Sequence, residues 1–243
     1  MNKRIALALA AGVTSVGFAA LPPALATNFA VLLGSSKRPD ADKARDADRK
    51  PAEVMAFAGI KAGTKVAELA PGGGYYTRLL SAAVGPKGHV YTFAGRPSAA
   101  VEAWAKDHAN VTQGVGQPGD ALAPVPVDVV WTTMNYHDFK NNKVGDTDAA
   151  AKFNTAAWTA LKMGGTYVVN DHEAALGAGA SVTQSHHRIE SAAVIREVEA
   201  AGFKLTGKSD LLRHSADDLN KPLRDSERGK TNQFLLKFKK VKR

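Results

Sequence analysis

The chain has 243 residues, a formal net charge of +9 at neutral pH and no cysteine. Disulfides, thiolate metal sites and cysteine nucleophiles are therefore excluded, and the length fits one domain with a large core. The basic residues are scattered apart from a cluster at Lys237, Lys239, Lys240, Lys242 and Arg243, with no RNA-binding aromatic motif or zinc finger, so no nucleic-acid partner is expected.

Taken in chain order, Lys3 and Arg4 precede an apolar run from Ile5 to Ala20. Pro22 and Pro23 break the run, and Ala24-Leu25-Ala26 offers a small-x-small cleavage site. This pattern predicts a signal peptide over residues 1–26 and a periplasmic or secreted mature protein. The run is short for a membrane span, which needs about 20 apolar residues, so no span is expected after cleavage. Residues 35–50 are polar and charged, from Ser35 to Lys50, and read as a linker or a solvated helix, so a polar linker is expected over residues 27–50. The main domain is expected over residues 51–243.

Pro51 suits a first helical turn, with Val54, Met55, Phe57 and Ala58 at helical spacing and Gly59 and Gly63 as stops. Residues 65–69 read as a strand, 75–84 as a helix, 89–93 as a strand and 98–108 as a helix. A short strand is expected at 111–113. Residues 127–132 form an apolar run suited to burial on both faces. A helix at 148–161 turns through Lys162-Met163-Gly164-Gly165 into a strand at 166–169. Residues 187–201 read as a helix stopped by Gly202. Strands at 203–209 and 233–238 follow. Such alternation predicts a doubly wound α/β sheet with helices on both faces. Ligands bind such sheets beyond the carboxyl ends of the strands, which directs attention to the residues after Leu69, Phe93, Thr132 and Val169.

The most informative segment runs from Val66 through Glu68-Leu69-Ala70-Pro71-Gly72-Gly73-Gly74-Tyr75-Tyr76-Thr77. It combines a strand, a tight turn and a helix start. Glycines permit positive φ and close approach of a ligand to the backbone, and the helix start presents free N–H groups. Glu68 could bind a hydroxyl or an ammonium. A glycine-rich turn without a ligand is the other reading. The dinucleotide fingerprint fits worse, because from Gly72 its third glycine would fall at Thr77.

Past the fourth strand, Asn135-Tyr136-His137-Asp138-Phe139 places a base beside a carboxylate. A histidine titrates near neutrality and can accept a proton there. The same residues could instead cap a helix or face water. Past the fifth strand come Asn170-Asp171-His172-Glu173, and later His186-His187-Arg188. Asp138, Asp171, His172 and His187 could converge on a divalent metal. Oxygen-rich sites suit Mg²⁺ and imidazole-rich sites suit Zn²⁺. Ordinary polar contacts in the rim are the alternative for His172 and His187. The segments 213–218 and 228–231 read as a lid, a rim or a charged loop.

The spacing acid-x-x-x-Gly-x-Gly from Glu68 resembles the first motif of class I S-adenosylmethionine-dependent methyltransferases, in which glycine is usual at the site of Ala70. The motif belongs to an ordered set with Gly59-Ile60-Lys61-Ala62-Gly63, Asn135-Tyr136-His137-Asp138, Asp171-His172, His187-Arg188-Ile189, Ala201-Gly202-Phe203 and Arg228-Gly229-Lys230-Thr231. With the signal peptide, this set resembles a family of secreted bacterial proteins described as predicted methyltransferases, over roughly residues 47–240. The resemblance implies a Rossmann-like, seven-stranded, mostly parallel sheet with a last antiparallel strand. It implies S-adenosylmethionine bound by Glu68, Ala70, Gly72, Gly74, Tyr75, Asp120 and Asn135. It supplies no substrate; on our reading the acceptor is a small-molecule or envelope-associated nucleophile, with His137 and Asp138 as the catalytic pair at the position where such enzymes keep catalytic groups. Metal-dependent catechol-type members hold Mg²⁺ with acids at the ends of the same two strands, which makes Asp138, Asp171 and His172 the candidate metal set. One departure from the pattern is Ala94, which stands where these enzymes keep an acid for the ribose hydroxyls. A non-methylating small-ligand or metal-binding protein on the same fold is the alternative reading. The sequence does not define the acceptor or the oligomeric state.

Overall fold

The computed structural model describes Phe29, residues 31–227 and residues 229–242. The expected signal peptide and Arg228 lie outside the described residues. Among those residues no helix is long and apolar enough to cross a membrane.

Helices α1 (Asp40–Lys43), α2 (Asp46–Arg49) and α3 (Pro51–Ala58) lead into the sheet. Then follow β1 (Lys65–Leu69), α4 (Tyr75–Val84), β2 (His89–Ala94), α5 (Ala99–Lys106), β3 (Val111–Val115) and β4 (Val127–Thr133). After α6 (Tyr136–Asn141) comes a small hairpin of β5 (Lys143–Val144) and β6 (Thr147–Asp148). The chain closes with α7 (Ala149–Ala160), β7 (Leu161–His172), α8 (Thr183–His186), α9 (Ser191–Ala200), β8 (Phe203–Ser209) and β9 (Gln233–Lys240).

Seven strands make one sheet in the order β3-β2-β1-β4-β7-β9-β8. The pairs from β3 to β7 are parallel, and β9 runs antiparallel to both β7 and β8. Strand residues alternate between two buried faces. Val66, Val129 and Val168 pack with α3, α4 and α5, whereas Ala67, Val130 and Val169 pack with α6, α7 and α9. Burial on both faces explains why these strands read as apolar runs. Register then sets the working edge. Leu69 lies opposite Phe93 and Thr132, and Thr133 lies opposite Asn170. The four segments singled out in the sequence therefore start side by side.

Local chemistry fixes several element ends. Ser98 caps α5 by accepting from the Val101 N–H, and Asp148 caps α7 by accepting from the Ala151 N–H. Each helix thus begins one residue later than its sequence pattern, because the first polar residue is the cap. The expected helix over 187–201 is broken. His187 adopts a left-handed conformation at the end of α8, Ile189 forms a parallel bridge with Glu173, and α9 starts only at Ser191. Arg188 draws the chain out of the helix. Its guanidinium is fully buried, paired with Asp217 and hydrogen-bonded to the carbonyls of Glu173 and Lys221.

The polar lead-in forms two short helices that pack on the sheet domain. Arg38 makes a two-pronged ion pair with Asp46, and Asp42 is buried against Arg78 of α4 at 2.6 Å. Arg38, Asp42 and Asp46 are taken up in ion pairs, and the Asp42–Arg78 pair joins α1 to the residue that grips the glycine-rich turn.

Candidate functional site

The turn after β1 holds three residues in the left-handed region: Ala70 at φ 51°, Gly72 at 55° and Gly74 at 78°. Glycine adopts this conformation freely, whereas alanine is strained there. That explains why the resembled motif favours glycine at the position of Ala70. The turn is pinned from both sides. The Ser98 hydroxyl donates to the Gly72 carbonyl at 2.7 Å, and Arg78 donates to the Gly73 carbonyl at 2.8 Å. A Cβ at Gly72 or Gly73 would meet no atom within 4 Å, so bare backbone faces open space.

Gly72 lines a cleft of about 820 Å³ that spans the carboxyl ends of β1, β2 and β3 and the start of α6. This is where the strand order reverses between β1 and β4. The volume lies in the range of small-molecule and cofactor sites. Phe93, Phe139 and Phe153 form an apolar wall, with ring centroids 4.6 Å apart for the last two. Gln117 and Asn135 supply neutral polar groups, and Arg96 and Lys143 stand at the margin. The lining includes Ala94 and contains no carboxylate.

The expected cofactor-binding residues separate into two groups. Ala70, Gly72 and Asn135 line the cleft, and the Asn135 amide donates to the Ala70 carbonyl at 3.2 Å. Glu68, Gly74, Tyr75 and Asp120 do not line it. Glu68 is buried beneath the turn, where it accepts a 2.6 Å hydrogen bond from the Thr77 hydroxyl. Burial pushes its carboxyl up to about 7, against the opposing pull of Thr77 and Arg78. Gly74 caps α4, where a Cβ would press on the Arg78 guanidinium at 3.0 Å. Tyr75 turns under the lead-in helices and donates to Asp46 at 2.6 Å. Asp120 closes a surface turn by accepting from the Gln117 N–H, so Gln117 and Pro118 reach the cleft in its place.

Past β4, α6 carries His137 into a buried pair with Asp171 of β7. The Asp171 carboxylate accepts from the His137 backbone N–H at 2.8 Å and meets Nδ1 at 2.8 Å. This holds one proton on Nδ1 and leaves Nε2 as the nitrogen that gains and loses the titrating proton, 3.4 Å from Asp138 Oδ1. Burial opposes charge on His137, but Asp171 and then Asp138 outweigh it and hold the pKa above the ordinary histidine value. Asp171, although buried, is held below the usual carboxylate range by His137 and His172. His172 lies behind, its Nδ1 3.0 Å from the Thr231 hydroxyl, and burial lowers its pKa to about 4.

The expected metal set does not converge. Asp171 directs its oxygens to His137 and to the His172 N–H, and His172 turns to Thr231. The atoms that do converge belong to His137, Asp138 and His187, all within 4.8 Å of one another. His187 was among the residues the sequence offered for convergence, but its approach to His137 and Asp138 depends on the break at Arg188, which no spacing reveals.

A second cavity of about 530 Å³ lies under the lead-in helices, bounded by Arg45, Arg49, Met134, His172, Thr231 and Gln233. The Arg49 guanidinium stacks 4.5 Å above the Tyr75 ring and reaches the Met134 sulfur at 3.9 Å. Sequence reasoning missed Arg45 and Arg49, because they sit in a segment whose uniform polarity hides which residues turn inward.

No protein-family model matches the chain, and no curated protein sequence matches it. Solved structures do. An S-adenosylmethionine-dependent methyltransferase from Aquifex aeolicus is 20% identical with a TM-score of 0.56, over 79% of this chain and 89% of that one. A TehB-like S-adenosylmethionine-dependent methyltransferase from Corynebacterium glutamicum is 17% identical with a TM-score of 0.54, over 78% and 86%. The [4+2]-cyclase SpnF is 14% identical with a TM-score of 0.57, over 80% and 81%. The chain therefore has the class I methyltransferase fold. Likeness at this level establishes architecture, and chemistry has to be argued from the site.

Proposed function

We propose that the chain is an S-adenosylmethionine-dependent methyltransferase acting on a small or envelope-associated nucleophile, exported under the direction of residues 1–26. The observation that carries this reading is the bare backbone at Gly72, pinned by Ser98, which lines a carboxylate-free cleft at the switch point of the sheet. When bound, S-adenosylmethionine supplies an electrophilic methyl group on a positively charged sulfur. The chain's own residues do the rest. The turn admits the cofactor's polar end against main chain. Phe93, Phe139 and Phe153 offer apolar surface for its adenosine end, and Gln117 and Asn135 offer neutral hydrogen-bonding groups. Methyl transfer is mainly a matter of alignment, with removal of a proton when the acceptor is a hydroxyl. We assign that proton to His137 Nε2, which lies on the same helix as the cleft residue Phe139, with Asp171 fixing its tautomer and supporting the imidazolium.

The test is transfer of a labelled methyl group to phenols, thiols, amines and envelope extracts. His137→Ala should leave cofactor affinity intact and lower turnover on a hydroxyl acceptor by about 10²–10⁴-fold, the usual range for a general base. Turnover equal to wild type would remove His137 from the mechanism. Binding of the cofactor without transfer to any acceptor class would remove the enzymatic reading and leave a binding protein.

A further inference from the structure

We propose that His137, Asp138 and His187 form a binding site for one divalent transition-metal ion of the Zn²⁺ type. The site does not depend on the methyl-transfer reading.

Two imidazoles and one carboxylate are the donors that Zn²⁺ takes in three-ligand sites with an open fourth position. The geometry matches. Zinc bonds to nitrogen and oxygen of about 2.0–2.2 Å place tetrahedral ligand atoms roughly 3.3–3.5 Å apart. Asp138 Oδ1 lies 3.4 Å from His137 Nε2 and 3.2 Å from His187 Nδ1. Two edges of the coordination polyhedron are therefore at ligand spacing, and the remaining edge lies within 4.8 Å. His187 is half-exposed and can close that edge by a side-chain adjustment.

The support behind these ligands is also that of a metal site. His137 presents Nε2 because Nδ1 is held by buried Asp171, the carboxylate–histidine arrangement that orients metal-bound imidazoles. Asp138 and Asp171 together carry two negative charges to balance a divalent ion. His187 is held at a left-handed φ of 52°, a strained state for a side-chain-bearing residue. Two anchors keep it there. Next to it, Arg188 is fixed by Asp217, Ser226 and two carbonyls. Its helix α8 is tied to α6 by the Thr183 hydroxyl donating to Asn141 at 2.7 Å. The ligands thus come from two elements locked together before any ion arrives. An ion and a proton exclude each other on Nε2, so the loaded protein lacks a free base at His137.

The experiment is titration of chelator-treated, folded protein with Zn²⁺ against a chromophoric competitor, with Co²⁺ absorption reporting coordination geometry. One ion per chain is expected, with a tetrahedral Co²⁺ spectrum. His187→Ala and Asp138→Asn should each weaken Zn²⁺ by on the order of 100-fold, since removing even an outer partner costs about 10–100-fold. Both residues are half-exposed, so the variants are expected to stay folded, which circular dichroism checks. His186→Ala, which removes the adjacent imidazole bonded to Ser185, should bind as wild type does. Absence of stoichiometric binding by wild type overturns the proposal. So does wild-type affinity in both His187→Ala and Asp138→Asn.

Discussion

Ala94 leaves the edge of the cleft without a carboxylate, at the position where related enzymes hold the ribose hydroxyls. Each charge-assisted hydrogen bond forgone there is worth about 1.5–3 kcal/mol. Ala94→Asp is therefore expected to tighten S-adenosylmethionine binding by about tenfold or more, measured by calorimetry. Unchanged or weaker binding would mean that the ribose lies elsewhere. Glu68 makes a second residue-scale prediction, one of stability. Its carboxyl sits near 7 in the folded protein, against an ordinary value of 4.5. Between those values the unfolded chain has released a proton that the folded chain retains. Folding is thus favoured most below about pH 4.5 and weakens as pH rises towards 7, by about 3 kcal/mol in total. Glu68→Gln keeps an acceptor for Thr77 and removes the titration. Denaturation at pH 5 and pH 8 should show the variant gaining on wild type as pH rises, and a constant difference would contradict the assignment. Both residues stood out in the sequence, Ala94 as a missing acid and Glu68 as a motif acid. Only the fold revealed that Glu68 points beneath the turn, because a one-dimensional motif fixes spacing but not which face of a strand end a side chain takes.

At the scale of elements, the lead-in helices and α4 are joined by Arg78, which pairs with Asp42 and also grips the Gly73 carbonyl. Removing one partner of a buried ion pair typically costs about 3–5 kcal/mol, because the other charge is left unpaired. Asp42→Ala should destabilise the protein by about that amount in urea titration. A loss under 1 kcal/mol would show that water reaches Arg78 and that the lead-in helices are loosely held. The sequence conveyed the strands and the flanking helices of the sheet faithfully, since a strand buried on both faces leaves a continuous apolar run. It concealed the role of the lead-in segment, because an acid that forms a buried pair and an acid in water look alike in composition. It concealed the break at His187 for a related reason: Ile189, Val194 and Val198 all pack into one core cluster whether or not the helix is continuous.

At the scale of the whole molecule, the alternation of strands and helices was enough to predict the doubly wound sheet, and the rule for such sheets indicated which edge to search. The register then brings the ends of β1, β2, β4 and β7 into line, and α6 with its N-cap contributes both to the cleft, through Asn135 and Phe139, and to the histidine cluster, through His137 and Asp138. Which of the candidate residues converge was not legible: the sequence offered Asp138, Asp171, His172 and His187, whereas the cluster is His137, Asp138 and His187, because its membership depends on the relative placement of α6, β7 and α8. The central claim is that the glycine-rich turn receives S-adenosylmethionine. Calorimetric titration of S-adenosylmethionine and S-adenosylhomocysteine into wild type and Gly72→Val tests it most directly, with circular dichroism confirming that the variant is folded. Gly72 lines the cleft with backbone at φ 55°, so a branched side chain there adds both bulk at the cleft wall and backbone strain. The account predicts one site per chain in wild type and no detectable binding in the variant. Equal affinity in folded Gly72→Val, or no binding of either compound by wild type, would contradict it.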